Sequence, residues 1–211
     1  MNDPDTYPIR FSVDYPDRDL NTLTTLLRPI AAIPIFILLG TVLGGGYEAG
    51  DEGRRVAAGA GGLLFVGPML MIVFRQKYPR WWFDWNVELL RFVNRVLIYA
   101  ALMDDRYPST DEQQSARLEV PYPDVEQDLN RWLPLVKWFL AIPHVLALLV
   151  LAMGAMFAVV FAWFAILVGG RYPRGLFDYV EGVLRWHNRV IGYAIILATD
   201  RYPPFTLRGV S

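Results

Sequence analysis

Apolar residues in this chain are concentrated in three long runs, which polar, proline-rich segments separate. The runs cover residues 30–43, 56–74 and 136–170, and the third contains only Lys137 and His144 as ionisable groups. As a single helix rising 1.5 Å per residue, the third run would be about 50 Å long, well beyond the roughly 30 Å core of a bilayer. The pattern therefore predicts membrane hairpins, with a turn at Gly154 that folds the third run back on itself.

A charged segment beside these runs occurs twice. Lys77-Tyr78-Pro79-Arg80 returns as Arg171-Tyr172-Pro173-Arg174, and the residues that follow align as well, including Asn94 with Asn188. Tyr15-Pro16-Asp17 likewise returns as Tyr122-Pro123-Asp124. Such self-similarity indicates one unit used twice, with repeats at residues 1–110 and 111–211.

Each repeat is predicted to contain an extended arm, a two-helix transmembrane hairpin and a cytoplasmic amphipathic interface helix. In the first repeat we expect transmembrane helices at about 26–45 and 56–75 and an interface helix at about 80–103. In the second we expect them at about 133–153 and 155–170, with an interface helix at about 175–198. The fold class is thus an all-α integral membrane protein, although apolar-polar alternation in residues 9–13 and 118–120 suits two short strands that are able to pair.

The predicted interface helices carry a charged stripe. Helical spacing places Asp84, Glu88, Arg91 and Arg95 on one face, and Asp178, Arg185 and Arg189 keep the stripe in the second copy, with Glu181 as the nearest further acid. Two placements remain open. We favour a helix in the membrane interface with the stripe toward water, whereas a helix that crossed the membrane would turn the stripe toward another helix.

Composition and charge indicate the membrane location and the orientation of the protein. Hydrophobic residues make up 54% of the 211 residues, and the chain has no cysteine, which excludes disulfides and thiolate metal sites. Of the 20 Lys and Arg residues, only Arg54 and Arg55 lie between the first two runs, and none lies near Gly154. The positive-inside rule then predicts a multi-pass protein with both termini in the cytoplasm.

Three motifs of the second half support a family resemblance: Arg-Tyr-Pro-Arg-Gly-Leu-Phe-Asp at 171–178, Arg-Trp-His-Asn-Arg-Val at 185–190 and Thr-Asp-Arg-Tyr-Pro-Pro-Phe at 199–205. They resemble the bacterial membrane family catalogued as domain of unknown function 4389, once per half. The first half departs from the pattern at residues 104–109 and in a glycine-rich insertion. The resemblance implies a protein of the bacterial inner membrane and supplies no catalytic residues.

Candidate chemistry is sparse. The acids of the stripe each have an arginine within a turn or two, so we expect ion pairs rather than acid-base catalysis and predict no enzyme. No cofactor is predicted, and haem ligation by His144 and His187 is an outside alternative. The candidate contacts for anionic lipid headgroups or partners are Arg80, Arg91, Arg95, Arg174, Arg185, Arg189, Trp81, Trp82 and Trp186.

These observations favour a non-enzymatic accessory or scaffold protein that packs against a larger membrane complex or its own copies. Its contact surfaces would be the interface helices and the glycine-rich face of residues 56–74. The alternatives are a small channel or transporter with a path lined by the Arg and Asp stripes, or a protein that handles anionic lipids. Membrane lipids and membrane proteins are the expected partners, and nucleic acid is not, because acids balance the basic residues locally.

Overall fold

A computed structural model describes residues 7–16, 20–43, 60–109 and 114–208. The chain is mostly helical. In the first half, α1 (Thr22–Ala31) and α2 (Ile33–Leu43) are separated at Ala32, and α3 (Ala60–Arg75) and α4 (Arg80–Ala100) follow. Residues 44–55, which join the first two apolar runs, lie outside the described residues.

The second half contains α5 (Val125–Asp128), α6 (Pro134–Gly169) and α7 (Arg174–Ala194). Since α6 is one uninterrupted helix of 36 residues, the predicted turn at Gly154 and the hairpin of the second half are wrong. Gly154 has a packing role instead: a Cβ there would lie 2.5 Å from the hydroxyl of Tyr179, which donates a hydrogen bond to the Leu151 carbonyl at 3.0 Å. The helix ends only at Gly170, where φ is 69°.

The two arms contribute a small antiparallel ribbon. Strand β1 (Arg10–Val13) pairs with β2 (Ala116–Glu119), with Phe11 opposite Leu118. Phe11 and Val13 are buried whereas Arg10 and Ser12 are exposed, as the alternation in the sequence predicts. The expected strand pairing is confirmed, and the all-α description is corrected to a mostly helical fold with one two-stranded sheet.

Helices α4 and α7 correspond closely. Both have 21 residues and begin after a proline, Pro79 or Pro173. They meet at Asn94 and Asn188, whose buried side-chain amides exchange hydrogen bonds of 2.7 and 2.8 Å. Each amide also donates to the carbonyl one turn back in its own helix, so both polar groups are satisfied in the interior.

Helix α6 runs antiparallel to α7. Lys137 lies over the ring of Tyr193 near one end, His144 contacts Trp186, and Leu151 accepts from Tyr179 further along. One face of α6 is buried, at Lys137, Ala141, His144, Leu148, Ala158, Ala162 and Ile166. The remaining faces expose large apolar side chains along the whole length of the helix, among them Phe139, Leu146, Met153, Val160 and Phe164.

Two stretches are long and apolar enough to cross a membrane by length and composition, Thr22–Gly40 and Pro134–Gly169. Only small fractions of both are buried within the protein, 28% and 17% of their most apolar windows. These faces therefore carry a large exposed apolar surface, which is a feature of proteins that contact lipid or other proteins.

Candidate functional site

The charged stripe of α7 holds the first arm in place. Arg185 forms an ion pair with Glu181 at 2.5 Å, and its guanidinium also donates to the carbonyl of Phe11 at 2.9 Å. Glu181 in turn accepts from the backbone N–H of Val13 at 3.2 Å. The C-terminal segment crosses the same face, where Arg185 donates to the Leu207 carbonyl.

This crossing explains why glycine interrupts the stripe. A Cβ at Gly182 would lie 2.9 Å from the carbonyl oxygen of Leu207. The corresponding position in α4 is Glu88, which is exposed and pairs with Arg91. Glycine at position 182 therefore leaves room for the C-terminal segment that crosses α7.

The stripe of α4 contacts the second arm in a corresponding way. Arg91 donates to the Leu118 carbonyl at 3.2 Å, and Arg95 donates to the Ser109 carbonyl at 2.8 Å. The expectation of a stripe that faces outward is therefore wrong for Arg91, Arg95 and Arg185, which are half-buried against backbone carbonyls. Arg189 is buried, whereas Asp84 and Asp178 are exposed as that expectation requires.

The acids behave largely as expected. Glu88 and Glu181 pair with arginines of their own helix, and Asp84 lies 3.9 Å from Arg80 in an exposed pair. Asp178 forms no ion pair within the part of the chain that the structure describes. Exposed pairs such as Arg80 with Asp84 are worth at most about 1 kcal/mol, whereas the pair of Glu181 with Arg185 is largely buried.

The Tyr-Pro segments join each arm to the opposite half. The Tyr15 hydroxyl donates to the Tyr172 carbonyl at 2.5 Å, and the Tyr122 hydroxyl donates to the Tyr78 carbonyl at 2.5 Å. Guanidinium groups of the opposite half lie over both arm rings, with Arg174 4.4 Å from Tyr15 and Arg80 5.4 Å from Tyr122. These contacts hold the arms against the starts of α4 and α7.

Two buried cations occupy corresponding places against the ends of α4 and α7. Arg28 pairs with Asp105, donates to the Asp104 carbonyl and lies 4.8 Å from the ring of Tyr99. In the second half, the same three types of partner surround Lys137. Its ammonium group lies 2.7 Å from Asp200, 2.8 Å from the Thr199 carbonyl and 5.1 Å from the Tyr193 ring.

Sequence reasoning missed this pair of sites, although a signal was present. Arg28 and Lys137 interrupt apolar runs, and each precedes an Ala-Ile-Pro triplet, at 32–34 and 141–143. Their acids, Asp105 and Asp200, each precede an Arg-Tyr-Pro triplet. A buried cation requires a buried partner, and recurrence of both members could have identified the pairs.

His144 is enclosed by aromatic rings. Phe205 stacks on it at 4.0 Å between ring centroids, and the Trp186 indole N–H donates to its Nδ1 at 3.0 Å. An indole nitrogen only donates, so Nδ1 carries no proton and the neutral ring holds its proton on Nε2. Neither nitrogen then has a free lone pair, and this site does not fit haem or metal ligation.

Burial lowers the pKa of His187, which keeps this imidazole neutral near pH 7. Neutral imidazole is the form that ligates metals, so it is the hydrogen bonding of His144 that disfavours ligation. In the described residues, no group of three or more His, Asp and Glu side chains is placed to hold a metal ion. The hydrogen bond from Trp186 therefore disfavours the haem alternative, which requires both His144 and His187 as ligands.

The candidate lipid or partner contacts separate into three groups. Arg80, Arg174 and Trp81 are exposed at the starts of α4 and α7, where they are accessible to a headgroup or a partner. Arg91, Arg95 and Arg185 are half-buried against the arms and the C-terminal segments. Arg189 and Trp186 are buried, and Trp82 packs into the space left by Gly67.

The contact at Gly67 bears on the expectation that the glycine-rich face of residues 56–74 is a contact surface for partners. A Cβ there would lie 2.2 Å from the indole of Trp82, so this glycine admits a side chain of the protein's own α4. An apolar groove of about 540 Å³ lies elsewhere, between α1 and the second half of α6. Its lining includes Pro29, Phe36, Val160 and Phe164.

Comparison with known proteins gives one positive finding. A family model described as Domain of unknown function (DUF4389) matches residues 132–206, which contain α6, α7 and the segment after them. The match supports the resemblance noted in the second half of the sequence. No curated protein and no solved structure matches the chain.

Proposed function

We propose that each half of the chain is one copy of the unit that the family model matches in residues 132–206, and that the protein belongs to the bacterial inner membrane. Support for two copies comes from corresponding contacts, since Arg91 and Arg185 hold opposite arms and Arg28 and Lys137 pair with corresponding acids. The second copy differs in having one continuous helix, α6, where the first has α1, α2 and α3.

The observation that carries the membrane arrangement is the position of the charges relative to α6. Tyr179 and Trp186 contact the middle of α6 from one face of α7. On the opposite face, Glu181 and Arg185 contact β1, whose outer side carries Arg10. The charged ribbon therefore lies level with the midpoint of α6.

This position disfavours an upright α6. A helix of 36 residues is about 54 Å long, and if it stood along the membrane normal the ribbon would lie inside the hydrocarbon core. Placing even one arginine there costs about 3 kcal/mol or more. The arrangement we propose has α6 near the membrane plane, with its outer face in the acyl chains and the ribbon in water.

The proposal differs from the multi-pass arrangement that the sequence predicts, but it satisfies the same charge asymmetry. The ribbon itself carries Arg10 and Arg117. It also contacts Arg91 and Arg185, so all four cations lie on one side of α7. Both termini and the basic Tyr-Pro segments then lie on the cytoplasmic side without requiring a crossing.

Within that arrangement the protein acts as a non-enzymatic accessory or scaffold protein, in contact with lipids and with membrane proteins or its own copies. The exposed apolar faces of α1, α2 and α6 supply the contact area. A channel lined by the charged stripes has less support, because Arg91 and Arg185 donate to backbone carbonyls of the arms.

Membrane depth along α6 tests the arrangement directly. The chain has no cysteine, so single cysteines at Phe139, Leu146, Met153 and Val160 can each carry a nitroxide. All four positions are exposed on one side of the helix. Collision rates with oxygen and with a water-soluble nickel chelate should give one similar depth at all four positions.

An upright helix would give a different profile. Successive labels are separated by about 10 Å along the axis, so depth would change by about that amount at each step. A label at Arg10, on the exposed side of the ribbon, serves as the aqueous control. A depth gradient along α6, or a membrane-buried label at position 10, would refute the in-plane arrangement.

The number of copies and partner proteins that stay together in the native membrane tests the scaffold role. Fluorescently tagged protein is extracted with polymer into native-membrane nanodiscs and counted by photobleaching. We expect two or more copies per disc, or stoichiometric amounts of another membrane protein. Single copies with lipid alone would contradict the scaffold role.

A further inference from the structure

A polar cavity of about 270 Å³ lies between the ribbon and α7, on the side of α7 away from α6. Four of its lining residues are arginines and one is an acid. The lining consists of Ile9, Arg10, Phe11, Ser12, Arg117, Glu119, Arg185 and Arg189.

Two of the arginines have acidic partners. Arg185 pairs with Glu181 at 2.5 Å, and Arg117 pairs with Asp14 at 3.0 Å. Arg10 and Glu119 face each other in the strand register but form no ion pair within the described part of the chain. The cavity therefore keeps positive charge that the surrounding acids do not pair.

Arg189 is the least satisfied of the four. Its residue is only 2% exposed, and its Nε is buried without a hydrogen-bond partner. Among the described residues, the other guanidinium nitrogens reach only the carbonyls of Thr206 and Arg208, at 3.4 and 3.3 Å, and the group lies 5.9 Å from the ring of Tyr7. Burial, together with the nearby charge of Arg185, lowers the pKa of Arg189.

A buried guanidinium normally has a hydrogen-bonded anionic partner, because burying an unpaired charge is costly. The corresponding residue in α4 makes a useful comparison. Arg95 is half-buried, donates to the Ser109 carbonyl at 2.8 Å and has further contacts. The deficit at Arg189 is therefore a local feature of the second half and not a general property of the stripe.

We propose that this cavity binds one phosphate-type oxyanion, which accepts hydrogen bonds from Arg189 inside and from Arg10 at the rim. A guanidinium offers parallel N–H donors that match two oxygens of such a group. The anion would also reduce the repulsion between Arg185 and Arg189. Because the membrane arrangement proposed above places the ribbon side of α7 in water, the ligand is a soluble phosphate-bearing molecule rather than a lipid headgroup.

Thermal unfolding of the full chain in uncharged detergent tests the site, with inorganic phosphate as the probe. Phosphate is titrated at constant ionic strength against sodium chloride. We expect a saturable rise in the unfolding midpoint for the natural protein. Arg189→Gln should weaken the apparent affinity about tenfold or more, as expected for the loss of a charged hydrogen bond.

Two further variants make the result specific. Arg95→Gln, the matched change in α4, should leave the apparent affinity within about twofold, because Arg95 does not line the cavity. Arg10→Gln should weaken binding severalfold. Arg10 is exposed on the ribbon, so this variant preserves the test if Arg189→Gln does not fold.

The proposal is overturned if phosphate stabilises no more than chloride, or if Arg95→Gln weakens binding as much as Arg189→Gln. Nanodiscs distinguish the source of the anion. Equal phosphate affinity in neutral and phosphatidylglycerol discs supports a soluble ligand. A tenfold loss in the anionic discs would overturn that assignment in favour of a headgroup.

Discussion

At the scale of single residues, the buried tyrosines of the Tyr-Pro segments show how corresponding positions acquire different roles. Tyr78 and Tyr172 are both buried at the start of a long helix, and each packs edge-on against a phenylalanine, Phe83 or Phe177. The Tyr78 hydroxyl accepts a hydrogen bond from Asn86 at 3.2 Å. The Tyr172 hydroxyl is buried without a hydrogen-bond partner in the described part of the chain, so its burial opposes folding.

Removing the two hydroxyls should therefore have different effects. Tyr78→Phe is expected to destabilise the protein by about 1 kcal/mol, because it removes a hydrogen bond. Tyr172→Phe should be neutral or stabilising, because it removes an unpartnered polar group. Denaturation in mild detergent at pH 7 measures both, and each variant is the control for the other. Equal destabilisation by the two changes would contradict the assignment.

The same tyrosines predict how stability depends on alkaline pH. Burial raises the pKa of Tyr78 to about 12 and raises the pKa of Tyr172 as well. A tyrosine of the unfolded chain ionises near pH 10, so the folded state holds its protons more tightly. This contribution is complete below about pH 10 and is lost as the pH rises toward about 12.

Tyrosinate absorbance followed through an alkaline titration measures this effect. The buried tyrosines should ionise together with unfolding, and Tyr172→Phe should reduce the loss of stability above pH 10. Ionisation of all tyrosines near pH 10 with the fold intact would exclude the predicted protection.

At the scale of elements, α6 is the feature that departs most from expectation. A run too long for the bilayer suggested a hairpin, and glycine at position 154 suggested its turn. The structure instead seats the Tyr179 ring against Gly154 and continues the helix. Glycine costs a helix about 1 kcal/mol relative to alanine, and the close approach of Tyr179 accounts for its presence.

A distance between two spin labels distinguishes a continuous helix from a hairpin. Labels at positions 139 and 168 should be about 44 Å apart in a continuous helix. A hairpin that turns at Gly154 would bring the same positions to about 10 Å, the separation of packed helices. Double electron–electron resonance in nanodiscs resolves the two distances.

A second pair controls for label orientation. Positions 139 and 153 lie on the same side of the turn, so both arrangements give about 21 Å. A short distance for the first pair with the control distance unchanged would exclude the continuous helix.

At the scale of the whole molecule, each half is completed by the arm of the other. Residues of the first arm contact α7 through Phe11 and Tyr15, and the second arm contacts α4 through Leu118 and Tyr122. The two arms also pair with each other as β1 and β2. Each half therefore depends on the other for hydrogen bonds and for the burial of its core residues.

This dependence predicts the behaviour of separated halves. Residues 1–110 and 111–211 expressed alone should not give a stable monomer, whereas the co-expressed halves should assemble and co-purify. Affinity purification through a tag on one half, followed by size exclusion, measures assembly. Phe11→Asp in the first half should abolish it, because a charge would replace a buried ring of the ribbon.

The matched control is Ser12→Asp, a change on the exposed side of the same strand. It should leave assembly intact. Independent folding of either half into a stable monomer would contradict the exchange of arms.

The sequence alone determined the local patterns. Spacing of three and four residues marked α4 and α7, alternation marked the strands, and the run from 136 to 170 marked apolar helical sequence, although it was wrongly divided into two helices at Gly154. These features follow from the periods of the backbone itself and need no tertiary information.

Only the tertiary structure decided what each helix face and each strand contacts. It placed Tyr179 against Gly154, joined Arg28 to Asp105 and Lys137 to Asp200, and buried Arg189 with no acidic partner among the described residues. Those outcomes depend on segments distant in the chain, such as the tail over Gly182 and the arm over Arg185. A helical period states which residues share a face, but the free energy of burial depends on what covers that face.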